Sequence, residues 1–198
     1  MKEEASAKIR LLEEAKKLFA CQGFFGVSVR EITKNAGTNT AMVSYYFGGK
    51  EGLYREILRN AINHIEEHTR ELHDLRLSPR KRITSYVRGI IHLHHTQPHC
   101  AKILLHEIQH PSHPLREMVL PRITKMARGM QAALEEGQTA GDFRRDVPPH
   151  LGAYFVASMV NFYFLQASLV RSIIPELENQ DSLLEESVLK VFFEGMEA

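Results

Sequence analysis

Histidines are the side chains in this 198-residue chain best placed to do chemistry, seven of the eleven lying between His92 and His113. Within that tract His106-Glu107-Ile108-Gln109-His110 spells H-E-x-x-H, which on a helix sets two imidazoles on one face for zinc and a glutamate as general base. A zinc hydrolase using His106, Glu107 and His110 is therefore one reading. The continuation speaks against it: Pro111 ends the helix that must carry both ligands, no G-x-x-H follows, and a third ligand has no support beyond Glu135 or Glu136. A non-catalytic metal site drawn from His92, His95, His99, Cys100, His106 or His110 is a second reading, because several pairs stand at i,i+3 or i,i+4. Polar helix surface, or a hydrogen-bonded pocket wall, is the plainer one. No metal ligand set and no cofactor is assigned.

A second constellation lies nearer the start. Ser28-Val29-Arg30-Glu31 has the form of a capping box, so a helix should begin there and stop at Gly37. Thr38 to Thr40 can cap another short helix running to Phe47, where Gly48-Gly49 break the chain. Two helices of this length joined by Ala36-Gly37-Thr38-Asn39 have the dimensions of a helix-turn-helix, whose second helix presents its first residues to base edges in the major groove. Thr38, Asn39 and Thr40 are small hydrogen-bonding groups at that end, while Tyr45, Tyr46 and Lys50 suit phosphates. Ile32, Ala36, Val43 and Phe47 are apolar groups that can hold the pair together. A helical hairpin with tyrosines at its edge is the alternative.

The surrounding elements read as helices throughout. Ile9, Leu12, Ala15 and Phe19, joined by Leu11 and Leu18, form an apolar stripe that should end at Gly23. From Lys50 a longer helix, apolar through Leu53, Ile57, Leu58, Ala61, Ile65 and Leu72, should reach about Asp74. Further helices are expected over about 80–96, from Pro98 to before Pro111, and from Pro114 to Glu136 or Gly137 with a bend near Pro121. Gly141-Asp142-Phe143 is a turn, and Asp181-Ser182 opens the last helix. Leu151 to Val170 is a run of twenty residues without a formal charge. Ser158, Asn161, Gln166 and Ser168 interrupt it, so it reads as a helix buried on more than one side, by its own core and by a partner chain, rather than as a membrane span.

Composition bounds the class. With 43% hydrophobic and 25% charged residues the chain is globular, and its net charge of +1 conceals an uneven distribution. Residues 1–60 carry ten basic and seven acidic side chains, whereas residues 176–198 carry seven acids against Lys190 alone. A polyanion surface should lie near the start. Cys21 and Cys100 are too few for a disulfide framework, and Met1-Lys2-Glu3-Glu4 leads into no apolar leader, so a cytoplasmic protein with no membrane partner is expected.

Leu11-Leu12, Ala15, Leu18-Phe19, Gly23-Phe24, Ser28-Val29-Arg30-Glu31-Ile32, Ala36-Gly37, Tyr45-Tyr46-Phe47 and Lys50-Glu51-Gly52-Leu53 together resemble the N-terminal signature of the TetR family of transcriptional regulators. The run from Asn39 to Lys50 is similar to its CecR-like branch. This resemblance implies an all-α protein with a three-helix DNA-binding domain at 1–50 and a helical ligand-binding and dimerisation domain at 51–198. It implies phosphate contacts from Ser28, Tyr45, Tyr46 and Lys50, base contacts from the Thr38–Ser44 stretch, and Arg30 within the DNA-binding set. Thr38 stands where the family usually has an apolar residue and Ser44 where it often has tyrosine, so the operator cannot be borrowed from relatives.

The function expected is a ligand-responsive regulator, a repressor bound to a palindromic double-stranded operator as a homodimer and released by a small organic effector, with no catalytic step. Ile90, His94, Leu104, His106, Met118, Phe155, Met159 and Phe162 are the candidate effector-pocket residues. Phe155, Phe162, Leu169, Leu184 and Val188 are candidates for the dimer interface. A metal-sensing repressor using the His92–His113 tract, and an architectural DNA binder with no effector, are the remaining alternatives.

Overall fold

The computed structural model describes residues 2–109, 111–177 and 180–198. Among them the chain is helical, and β-pairing is confined to an isolated antiparallel bridge between Phe143 and Glu197. Packing gathers it into two units that do not follow chain order: Met1–His64 with Gln97–Arg122, and Ile65–Thr96 with Ile123–Ala198. No described helix is long and apolar enough to cross a membrane.

The first unit holds α1 (Lys2–Gly26), α2 (Val29–Asn35), α3 (Thr40–Phe47), most of α4 (Lys50–His68) and α6 (Pro98–Gln109). Part of the stripe read from sequence becomes its core: Leu11, Ala15 and Phe19 of α1 are buried, with Ile32, Val43, Leu53 and Ile57, whereas Leu12 and Leu18 are half-buried and Ile9 is exposed. α1 packs along α6 and against α2 and α3. As expected, the first helix breaks at Gly23 (φ 68°, ψ 177°), and a short helical segment runs on from the kink to Gly26. A side chain is excluded there twice over, since the backbone is left-handed and a Cβ would lie 2.5 Å from Cε1 of His106.

The second unit is organised on α5 (Pro79–Thr96), which contacts α8 (Pro149–Leu165) and α10 (Asp181–Met196). α4 ends at His68, earlier than the Asp74 expected. The Thr69 hydroxyl donates back to the Ile65 carbonyl (2.8 Å), and a 3-10 turn over Arg70–His73 buries Leu72 instead. The bend expected near Pro121 takes the form of a π-turn over Leu115–Val119 that leads into α7 (Leu120–Ala140). The helical run is continuous from His113 into α7, so Pro121 lies inside it, and the wider π-turn just before the ring accommodates its missing N–H. The uncharged run at 151–170 is two helices rather than one, because Gln166 (φ −101°, ψ 5°) separates α8 from α9 (Ala167–Ile173).

Two features fix α5. Gly89 lets it pass the end of α4 closely: a Cβ there would meet Thr69 Cγ2 at 2.4 Å and the His68 carbonyl oxygen at 2.9 Å. Arg82 is buried, its Nε donating to the Leu72 carbonyl (3.0 Å) and Nη1 to Glu136 Oε2 (2.6 Å). Removing this guanidinium strands a buried carbonyl, so Arg82→Met should destabilise the protein by about 2 kcal/mol in urea unfolding. Arg76→Ala, at the surface, should shift it by under about 0.5 kcal/mol.

Candidate nucleic-acid interface

The interface is built from two helices too short to persist alone, of seven and eight residues. Ser28 caps α2, its hydroxyl accepting from the Glu31 amide (3.1 Å), while the Glu31 carboxylate takes the side-chain amide of Gln22 (3.0 Å). The turn is closed by Thr38 N–H donating to the Thr33 carbonyl (2.9 Å), with Gly37 at φ 62°. Arg10 braces it from α1, Nε donating to the Ala36 carbonyl (3.0 Å). Asn39 caps α3, accepting from the Met42 amide (3.2 Å), and Gly48 (φ 72°) closes the helix with its N–H on the Ser44 carbonyl.

α3 turns Val43 into the core and leaves Asn39, Thr40, Ser44 and Tyr45 exposed, the Tyr45 ring at 76%. Ser28 and Arg30 are exposed on the neighbouring cap and helix, and Tyr46 is half-buried. Lys50 is half-buried, its ammonium 4.4 Å from the centre of the Phe24 ring, and burial lowers its pKa. The ring and the partial desolvation fix the direction of this cation. Thr38 differs from expectation. Its hydroxyl is shielded from solvent and has no hydrogen-bond partner among the described residues, so the group points inward at the turn. Asn39 serves as a cap first, leaving its NH2 as the group that can still donate. Arg10 and the exposed Phe25 beside the cap were not legible as site residues, since neither belongs to a periodic pattern.

The H-E-x-x-H residues have other employment. The Glu107 carboxyl is buried and accepts from the Tyr54 hydroxyl (2.5 Å) and the Ser112 amide (2.8 Å). Burial, then this bond, raises the Tyr54 pKa. Tyr54 is packed between Phe19 and Phe24, each ring centre 4.8 Å away, so Glu107 ties α6 to α4 inside an aromatic cluster. The His106 ring lies over Gly23, and His110 falls outside the described residues. A general base must reach a water, and Glu107 faces a phenol and an amide instead. The remaining candidate metal ligands are divided: His92 and His95 belong to the second unit, His99, Cys100 and His106 to the first.

The expected pocket residues are divided in the same way. Leu104, His106 and Met118 belong to the first unit, Ile90, His94, Phe155, Met159 and Phe162 to the second. The second unit contains a cavity of about 270 Å³ lined by Met159, Phe162, Tyr163, Val170, Arg171 and Leu177 among others. Ile90 is buried on α5, and His94 lies in a polar cluster. The His94 ring stacks on Phe164 (3.9 Å, 7°), and Asn161 hydrogen-bonds both His94 and Tyr86. Burial pushes the Tyr86 hydroxyl up to about 12 and the His94 imidazole down to about 4, the Asn161 bond opposing each shift. Of the expected dimer residues, Phe155, Phe162 and Leu169 are about half exposed, whereas Leu184 and Val188 are buried within the chain. Leu183 and Val191 are the large apolar residues that α10 exposes.

Two family models match this chain. "Bacterial regulatory proteins, tetR family" covers residues 11–57, and "Tetracyclin repressor-like, C-terminal domain" covers residues 76–164. The chain belongs to the TetR family. It is similar to the HTH-type transcriptional regulator YttP of Bacillus subtilis, 26% identical over 182 residues that cover 86% of this chain and 83% of that protein. It is also similar to the HTH-type transcriptional repressor NicS of Pseudomonas putida, 28% identical over 155 residues covering 77% and 73%. The structure of the ketosteroid transcriptional regulator KstR2 of Mycobacterium tuberculosis has the same fold, with a TM-score of 0.81 at 21% identity and 96% and 95% coverage. The chain is thus a helix-turn-helix transcriptional regulator with an all-α TetR architecture.

His94 supplies a pH test of the second unit. Its pKa is lowered on folding from 6.5 to about 4, so the unfolded chain binds the proton more tightly. Its contribution is complete above about pH 6.5 and is lost as pH falls towards 4, by an amount of order 3 kcal/mol. Urea unfolding between those limits should show this slope, and His94→Gln should flatten it.

Proposed function

We propose that this regulator is a repressor that holds a palindromic operator as a homodimer and releases it when a small organic effector binds the second unit. The observation that carries the reading is α3, a capped two-turn helix with Val43 buried and Thr40, Ser44 and Tyr45 facing solvent. Thr40, Ser44 and the free NH2 of Asn39 are the groups assigned to base edges, with Ser28, Arg30, Tyr45, Tyr46 and Lys50 on the phosphates. No membrane partner enters the reading, which places the protein in the cytoplasm.

Dimerisation is supported by apolar surface. Tyr154, Phe155 and Phe162 on α8, Leu169 on α9, and Leu183 and Val191 on α10 are exposed large side chains, far more than a lone soluble chain usually shows on consecutive helices. A palindromic operator repeats its half-site one DNA turn or a multiple apart, and a dimer carries the two α3 helices that reading it requires. The effector reading is supported by the cavity beside α8 and α9, apolar but for Arg171 and Tyr163. An effector that favours the non-binding geometry by roughly 2.7 kcal/mol releases the operator about a hundredfold, and operator DNA weakens effector binding by the same factor.

Selection of bound sequences from a random DNA pool should return a palindrome. Tyr45→Ala and Lys50→Ala should weaken binding to every sequence, the lysine change lowering the salt slope by roughly 1. Thr40→Ala and Ser44→Ala should change base preference by about 1–3 kcal/mol at the contacted position. Asn39→Ala removes the cap and about 1 kcal/mol of stability, whereas Asn39→Asp keeps the cap and loses DNA affinity through its charge. Unchanged preference in both the Thr40 and Ser44 variants would remove α3 from the bases.

Phe162→Asp and Val191→Asp should each yield monomer or aggregate in sedimentation, because an unpaired charge in an apolar interface costs several kcal/mol. A wild-type monomer at micromolar concentration would refute the dimer.

A further inference from the structure

The cavity of the second unit has a wall built twice on one spacing. Met159, Phe162 and Tyr163 stand at i, i+3 and i+4 on α8, and Ala167, Val170 and Arg171 repeat that pattern on α9. On an unbroken helix these six would form a single convex stripe. The chain instead breaks at Gln166 (φ −101°, ψ 5°), and the two faces border a cavity of about 270 Å³, with Leu177 of the 3-10 turn Pro175–Leu177 at its edge. All of this wall belongs to the second unit. Phe162 is 59% exposed, so the cavity is open on that side. Among the described residues of the wall the half-buried Arg171 is the charged one, and no carboxylate is present.

We infer that the ligand of this cavity is a small, largely apolar carboxylic acid, its carboxylate on Arg171 and its hydrocarbon body among Met159, Phe162 and Val170. The inference rests on the reading of this cavity as the effector site. Size sets the first limit. A volume of about 270 Å³ is at the low end for small-molecule pockets. At ~30 Å³ for each water-sized group it holds about nine of them, which suits a chain of about eight carbons. Charge sets the second limit. A guanidinium carries five N–H donors in a planar fork that matches a carboxylate, so Arg171 can give two to an anion and still serve another partner. Apolar neighbours keep water from that contact and so strengthen it, whereas an amine brought to the same place meets a like charge. An alcohol fills the same space but gives Arg171 no charge to pair with. Tyr163 adds a phenol to the wall, a further group able to donate to the carboxylate.

Calorimetric titration of the full chain, without DNA, with octanoate, octanol and octylamine tests this. Octanoate should saturate at millimolar or lower concentration and bind at least about tenfold more tightly than the other two. Arg171→Gln should cancel that preference, weakening octanoate by about tenfold or more and octanol by less than about twofold. Arg171→Lys keeps the charge but loses the fork, and its octanoate affinity should fall between the two. Val170→Trp, which fills the cavity, should abolish binding of all three. Unaltered melting of the ligand-free variants shows that they fold, and Arg171→Lys carries the test should Arg171→Gln fail that control. Absence of saturable binding of octanoate, phenylpropionate and cyclohexylacetate at millimolar concentration overturns the inference. Equal affinity for acid, alcohol and amine overturns it too, as does undiminished octanoate binding in Arg171→Gln or Val170→Trp. Octanoate that binds through Arg171 yet leaves operator affinity unchanged supports the ligand class and counts against the effector reading, so the two fail separately.

Discussion

An eight-residue helix has no stability of its own in water, and every functional statement about this protein depends on α3 holding its shape. Its ends supply much of what keeps it: Asn39 takes one orphan amide at the start and Gly48 returns an N–H to the last turn. Val43 supplies the remainder by burial against the neighbouring helices. Because these three residues do much of the holding, the exposed Thr40, Ser44 and Tyr45 carry little structural duty. Thr40, Ser44 and Tyr45 can be chosen for what they touch.

The first unit also shows how a catalytic-looking motif dissolves on packing. Glu107 in H-E-x-x-H has the right type and spacing for a general base, yet its oxygens are consumed by the Tyr54 hydroxyl and the Ser112 amide. A buried carboxyl needs such donors, and the Tyr54 bond ties α6 to α4 among the rings of Phe19 and Phe24. His106 is similarly engaged, filling the space that a side chain at Gly23 would take. The motif is an anchor for α6 within the DNA-binding unit.

The second unit places its polar groups with equal economy. Tyr86, Asn161 and His94 join α5 to α8 through hydrogen bonds, and Arg82 reaches a backbone carbonyl and Glu136. Each is a buried polar group with a named partner, so α5 is fixed in rotation as well as in position. The apolar residues left over collect on α8, α9 and α10, where they face outward.

Much of this was written in the sequence by local rules. The capping serine, the glycines at 37 and 48, and the apolar spacing of Leu11, Ala15 and Phe19 act over a few residues, so helix limits in the first fifty positions were legible, as was the helix-turn-helix. What lay beyond reach depended on long-range packing. Whether Leu184 or Leu183 faces inward is decided by which side of α10 meets α5 and α8, and periodicity gives the stripe without its direction. The inward turn of the Thr38 hydroxyl and the engagement of Glu107 likewise depend on how distant segments pack. The histidine tract offered contacts among its own members, several pairs standing at i,i+3 or i,i+4. Tertiary structure instead brought His92 to His68, twenty-four positions earlier, because a glycine at 89 lets two helices approach where a side chain would have held them apart.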